Sequence, residues 1–157
     1  MITHYDGIKM HGHYIVQTED EAGNIDTVGE YDNLITMGMY NIIFKFLNQP
    51  ISQPDVSDMN INYIATGTGT SSPTHNDTKL SVEIFRKAPS SKIIGTNNFT
   101  CKLILAPSES NGTITELGVF CNGTSTADSG TLISHALCNI VKNANLKYLI
   151  TWILTIE

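Results

Sequence analysis

Tyr148-Leu149-Ile150-Thr151-Trp152-Ile153-Leu154-Thr155-Ile156 is nearly continuous in apolar and β-branched residues. A strand with one wet face alternates apolar with polar side chains, so this unbroken run reads as a central strand covered on both faces. Upstream, Phe99, Cys101, Leu103 and Leu105 alternate with Thr100, Lys102 and Ile104, a period of two with one partly apolar outer face. Further strand signals lie at residues 8–18, 25–31, 61–66, 79–87, 113–120 and 130–138, with 92–105 and 146–156 containing the two runs above. The turn-prone Glu19-Asp20-Glu21-Ala22-Gly23-Asn24 makes the first two of these a hairpin with a polar tip. The period changes once, where Met39, Ile42, Ile43, Phe46 and Leu47 recur at helical spacing, with Thr36 placed to cap and Pro50 just beyond. An amphipathic helix is predicted near residues 37–48. About eight strands joined by turns predict a mainly β protein, an antiparallel β-sandwich carrying one α-helix. Residues 1–157 form a single domain in this reading, with 1–10 as an extended N-terminal segment.

Composition narrows the functional classes. Charged residues make up 15% of the chain, and Asn, Thr, Ser and Gly fill much of the remaining surface, which suits packing against neighbours. The net charge is −6, with 9 Lys and Arg and no basic cluster, so there is no electrostatic footprint for nucleic acid or anionic lipid. No apolar run reaches the ~18 residues that span a bilayer. Cys101, Cys121 and Cys138 have no metal-ligand spacing and an odd count, and Cys101 and Cys138 sit in apolar alternations, so buried thiols are expected. No charged and apolar leader precedes the first strand, which points to a chain made and folded in a cytoplasm.

The chemical motifs are weak one by one. Gly67-Thr68-Gly69-Thr70 lacks the Lys-Ser/Thr pair and helix start of a phosphate loop, and reads as a tight strand-to-loop turn opened by its glycines. His11 and His13, two apart on a strand, share a face and offer a metal two ligands, with His4 as a third. Surface imidazoles are the better reading. No Ser-His-Asp or Cys-His arrangement stands out. Glu83, Arg86 and Glu116 border or interrupt β-rich segments, where charge is costly unless paired. Glu83 and Arg86 are three apart and should face opposite sides of a regular strand. Glu116 has two partners open to it, Arg86 or the loop amides near residues 67–70. A structural network of Glu83, Arg86, Glu116, Gly67 and Gly69 is favoured over a Glu83 and Glu116 glycosidase pair, because no aromatic-lined cleft is apparent. No cofactor is expected.

Six pieces in one order carry a resemblance. They are Tyr31-Asp32-Asn33-Leu34-Ile35-Thr36-Met37-Gly38-Met39; Ile64-Ala65-Thr66-Gly67-Thr68-Gly69-Thr70 with Pro73, Asp77-Thr78, Leu80 and Glu83; Arg86-Lys87; Ile114-Thr115-Glu116-Leu117-Gly118-Val119-Phe120; Thr131-Leu132-Ile133-Ser134-His135-Ala136; and Thr151-Trp152-Ile153-Leu154-Thr155-Ile156. From about Gly12 to Ile156 the chain resembles small virion structural proteins of tailed bacteriophages, which serve as tail, fibre, collar or head-decoration components. It departs from that pattern at Met37-Gly38-Met39, where Asn-Gly-Leu-like residues are more usual. The resemblance implies a non-enzymatic homo-oligomer that assembles with other phage virion proteins and is made in the host bacterial cytoplasm. The tail, collar or fibre apparatus is the first placement, with a head (capsid) decoration protein as the alternative. A second alternative is a carbohydrate-binding module for host adsorption, which would hold a host surface glycan on Tyr5, Tyr14, Tyr31 and Tyr63. Assembly would proceed through sheet edges, if the 148–156 strand and the N-terminal hairpin supply them, and through loops 49–60, 71–76 and 121–129.

Overall fold

The computed structural model describes residues 9–48 and 59–157. β1 (Met10–Glu19) and β2 (Ile25–Ile35) form the expected hairpin. At its tip the Asp20 carboxylate accepts bonds from the backbone N–H of Ala22 and Asn24 and from the Asn24 side chain, and Gly23 takes a φ of 84°. Those bonds, chiefly from Asn24, hold the Asp20 carboxyl below the usual carboxylate range. The helix α1 follows at Met37–Leu47. Seven further strands follow among the described residues: β3 (Ile61–Gly67), β4 (Glu83–Lys87), β5 (Ser91–Ile94), β6 (Asn98–Leu105), β7 (Gly112–Cys121), β8 (Thr131–Lys142) and β9 (Lys147–Ile156).

All pairings are antiparallel, in the order β4-β3-β7-β8-β2-β1-β9-β6-β5. β2 is the join between two halves, because most of its length pairs with β1 while Leu34 and Ile35 at its end pair with His135 and Ser134 of β8. The sheet curls about this join, and one core fills the interior. Tyr14, Leu103 and Trp152 from one half meet Ile64, Leu117 and Ile133 from the other in a single buried cluster. The Tyr14 hydroxyl reaches Ser134 Oγ across it at 3.1 Å, which satisfies a phenol otherwise sealed from water.

β4 and β5 are the outermost strands at opposite ends of the sheet, yet only Ala88, Pro89 and Ser90 separate them in sequence. Four Cα steps reach at most roughly 14 Å, so the curl returns the two ends to the same side. Side chains bridge that side. Lys87 Nζ donates to the Glu109 carboxylate at 2.8 and 2.9 Å and to the Ile104 carbonyl at 3.2 Å, and Lys92 Nζ donates to Asn60 Oδ1 at 2.8 Å.

The sandwich with one helix is as expected, and the differences have local causes. The described residues form nine strands because the 92–105 segment folds on itself at Gly95-Thr96-Asn97, where Gly95 N–H bonds the Asn98 carbonyl at 2.8 Å. Strand β4 begins at Glu83 rather than near residue 79, since residues up to Val82 belong to a covering loop. β8 runs on to Lys142. Thr36 precedes the helix as a cap should, but its hydroxyl donates to the buried Leu132 carbonyl and caps nothing. β9 is central, between β1 and β6, and buried from Tyr148 through Trp152. Neither β9 nor the β1–β2 hairpin is therefore a sheet edge; those positions belong to β4 and β5, because β6 and β8 claim the outer sides of β9 and β2. Of residues 1–10, Lys9 and Met10 already belong to the ladder, through paired bonds between Lys9 and Glu157 and the start of β1. Pro50 and most of the 49–60 loop lie outside the described residues.

The three thiols are free, with Cys101 and Cys121 buried and Cys138 half-buried. Burial pushes Cys101 up to about 11 and Cys121 and Cys138 up to about 12. Two units above an ordinary thiol remove about 99% of the thiolate, so reaction with Ellman's reagent at pH 8 should be at least ~100-fold slower in the native protein than in urea. Fast stoichiometric labelling of the native chain would contradict the burial.

Candidate functional site

In β7, Ile114, Leu117 and Val119 point into the main core, which leaves Glu116, Gly118 and Phe120 on the opposite face. That outer face is not left to solvent. Residues 68–82 fold back over it, and Leu80 packs with Ala65, Phe120 and Leu132 in a second, smaller apolar cluster. Gly118 makes room: a Cβ there would lie 2.9 Å from Leu80 Cδ2 and 3.0 Å from Leu132 Cδ1.

Glu116 is fully buried beneath this covering segment. Its Oε1 accepts the backbone N–H of Gly69 at 2.9 Å and of Val82 at 2.7 Å, and its Oε2 accepts that of Ser81 at 2.9 Å. A buried carboxylate is tolerable only with such charge-assisted bonds. His135 on β8 adds Nε2 to Oε2 at 3.1 Å, and its Nδ1 lies 2.7 Å from Asp77 Oδ2 in the middle of the covering segment. Asp77 also accepts the N–H and hydroxyl of Thr74 at 2.8 and 2.6 Å. Partial burial would raise its carboxyl, but the bonds from Thr74 and His135 together with the His135 charge hold it below the usual range. The neck of the segment closes with Thr68 N–H on the Val82 carbonyl and the Thr115 hydroxyl on the Gly69 carbonyl.

Of the two partners open to Glu116, Arg86 is not used; the 67–70 amides supply one donor, Gly69, and the other two, Ser81 and Val82, come from the far end of the covering segment. Gly67 and Gly69 belong to this network as expected, but for want of space rather than for turning. Neither has a positive φ. A Cβ at Gly67 would overlap the Glu116 carboxylate and the Val82 carbonyl, and one at Gly69 would overlap Ser81 and Glu116.

Glu83 and Arg86 do not face opposite sides. They form a two-pronged ion pair, Nε to Oε1 at 2.5 Å and Nη2 to Oε2 at 2.7 Å, with side chains only 2% and 3% exposed. Thr66 pairs with Phe85 and Gly67 with Glu83, so Ile84 is an extra residue that shifts the alternation by one. The guanidinium continues to the carbonyls of Ser129 and Thr124 at 2.9 and 3.1 Å and lies over the rings of Phe120 and Tyr63 at 4.5 and 5.4 Å. The 121–129 turn is thereby tied to β4. Glu83 and Glu116 face separate sets of donors, Glu83 the Arg86 guanidinium and Glu116 the loop N–H groups and His135.

His11 is exposed with Nε2 3.6 Å from the Glu157 carboxylate, and His13 lies opposite Asp32 in the β1–β2 register. Both line a cleft of about 370 Å³ with His75 and Tyr40. Among the described residues no three His, Cys, Asp or Glu side chains converge as metal ligands, and His4 lies outside them. Among the described residues the named tyrosines do not form a stacking platform: Tyr14 is fully buried, and Tyr31 and Tyr63 pack against different apolar clusters; Tyr5 lies outside the described residues. His135 and Asp77 escaped sequence reasoning as network members, although a histidine inside the apolar Leu132–Ala136 run was a signal that a partner must exist. Lys142 escaped as well. It is 2% exposed, with Nζ on Asn111 Oδ1 and on the carbonyls of Pro107 and Asn143.

Comparison with protein-family models, curated proteins and solved structures returned no match. Among the described residues no helix is long and apolar enough to cross a membrane.

Replacing Glu116 by Gln keeps the shape but turns an amide group toward Ser81 N–H and His135, so a loss of roughly 1–3 kcal/mol is expected in urea unfolding. An unchanged midpoint would remove Glu116 as the anchor of the covering segment. Glu83→Gln leaves the Arg86 charge buried without its partner, with an expected loss of about 3–5 kcal/mol; a double-mutant cycle with Arg86→Met should return a large part of it.

Proposed function

We propose that this chain is a non-enzymatic structural subunit of a tailed-bacteriophage virion, in the tail, collar or fibre apparatus, which assembles with copies of itself and with other virion proteins. The observation that carries the assembly reading is the outermost strand β5. All four of its residues are exposed, with Ile93 at 61% and Ile94 at 84%. Beside it Ile94, Phe99, Leu154 and Ile156 line a mostly apolar cleft of about 310 Å³. Among the described residues no strand pairs with the outer side of β5, and an edge strand with exposed branched aliphatics is normally blunted by charge or cover, because it invites another chain to pair with it. Lys92 is the only charge on β5, and its ammonium is turned to Asn60. The helix adds Phe44 at 62% and Leu47 at 73% exposure, and the second edge adds Ile84 at 46%.

The placement within a virion comes from the resemblance of the six sequence pieces, and the same surfaces would equally serve a head-decoration subunit. Of the tyrosines named for the adsorption alternative, Tyr14 is sealed in the core and offers no ring to a glycan.

Light scattering on a sizing column is expected to give a multiple of 17.2 kDa. Ile94→Lys should reduce that mass to the monomer with an unchanged circular dichroism spectrum, since the residue is exposed at the sheet edge. A wild-type monomer at micromolar concentration would refute self-assembly, and an oligomer unaffected by Ile94→Lys would move the interface away from β5.

A further inference from the structure

We infer that Asp77, His135 and Glu116 form a proton-operated latch on the covering segment 68–82. The buried His135 ring presents both nitrogens to carboxylate oxygens, Nδ1 to Asp77 at 2.7 Å and Nε2 to Glu116 at 3.1 Å. A neutral imidazole has one N–H and one lone pair, so with both carboxylates ionised it can donate to only one of them. The other nitrogen would then set its lone pair against an oxygen lone pair. Both contacts are hydrogen bonds only while the three groups hold one further proton, as an imidazolium between two carboxylates or as a neutral ring beside one carboxylic acid. The closed segment therefore carries a removable proton.

Among the described residues the surroundings offer no substitute for it. The covering segment faces His135 with Asp77, β7 faces it with Glu116, and its partner on β2 is the uncharged Leu34. On β8 the nearest titratable side chain is Cys138, a thiol pushed up to about 12 by burial first and then by Glu116, hence neutral near pH 7. Arg86, the buried cation on this side of the sheet, is engaged with Glu83.

The arrangement also defines what moves. Glu116 holds the two ends of the segment, at Gly69 and at Ser81 and Val82, through backbone bonds that persist without the extra proton. The centre is held through Asp77, which also carries Thr74, and through His75, whose carbonyl accepts the Met37 N–H at 2.8 Å and whose Nδ1 lies 2.9 Å from the Ile35 carbonyl oxygen. Loss of the proton thus removes the tie at Asp77 and loosens the segment on either side of the His75 contacts, above the Ala65, Phe120 and Leu132 patch that Leu80 covers. When the closed form binds one proton more than the open form, rising pH favours opening. On the acid side, Asp77 has a lowered folded value, so its contribution is full above the usual carboxylate range and is lost as pH falls through that folded value. The latch is closed between these limits.

Amide hydrogen exchange read by mass spectrometry on the wild-type protein, corrected for intrinsic rates, tests this between pH 6 and 9.5. Protection of peptides within 70–80 is expected to fall by up to about tenfold per pH unit above the point of proton release, while β9 peptides hold constant. His135→Gln should flatten that dependence, because its amide cannot titrate. A wild-type profile that is flat, or that falls equally in β9, would overturn the latch, as would an unchanged profile in His135→Gln. The wild-type arm decides the matter even if the variant fails to fold.

Discussion

A carboxylate buried under a loop is the constraint on which the outer half of this structure depends. Glu116 sits on a strand whose other face belongs to the main core, and its charge is met by three backbone N–H groups of one segment and by an imidazole. Backbone donors are short and rigidly placed, so satisfying them fixes the path of the chain more tightly than apolar packing would. Residues 68–82 contribute a single buried apolar side chain, Leu80, to the cluster they cover. Their position is set by polar contacts. The small residues at 67, 69 and 118 follow from the same constraint, since a Cβ at any of them would strike the carboxylate, the returning segment or the side chains packed between.

The second organising element is β2, which changes partner near its end. By pairing first with β1 and then with β8 it turns one ladder into two facing halves around a common core. The curl brings the outermost strands to one side, and long cationic side chains cross the remaining gap. It also decides which backbone is left for neighbours. β5 is outermost among the described strands and carries two exposed isoleucines, and the proposed assembly role draws on that edge rather than on the hairpin or the last strand. Arg86 performs for the other edge what Glu116 performs for the loop: a buried charge reaches carbonyls of a distant turn and holds it against the sheet.

Much of the architecture was legible in the residues themselves. The period of two in 99–105, the unbroken apolar run at 148–156 and the helical spacing at 39–47 are consequences of backbone geometry that act within a few residues. They therefore gave the strands, the helix and the central place of β9 without reference to the rest of the chain. The cost of charge in β-rich segments likewise singled out Glu83, Arg86 and Glu116 as needing partners. Which partners they take was not local. The extra residue at Ile84 reverses the alternation of β4 and turns Glu83 toward Arg86, and nothing in Glu83-Ile84-Phe85-Arg86 announces that bulge, because it is set by register against β3. Asp77 and His135 meet across 58 residues of sequence, and such a contact exists only once β8 and the covering segment have been placed on the same face. Strand order, and with it the identity of the free edges, was decided in the same way. Pairing energy per residue is similar for many arrangements, and the one adopted is selected by the burial that the whole curled sheet achieves at once.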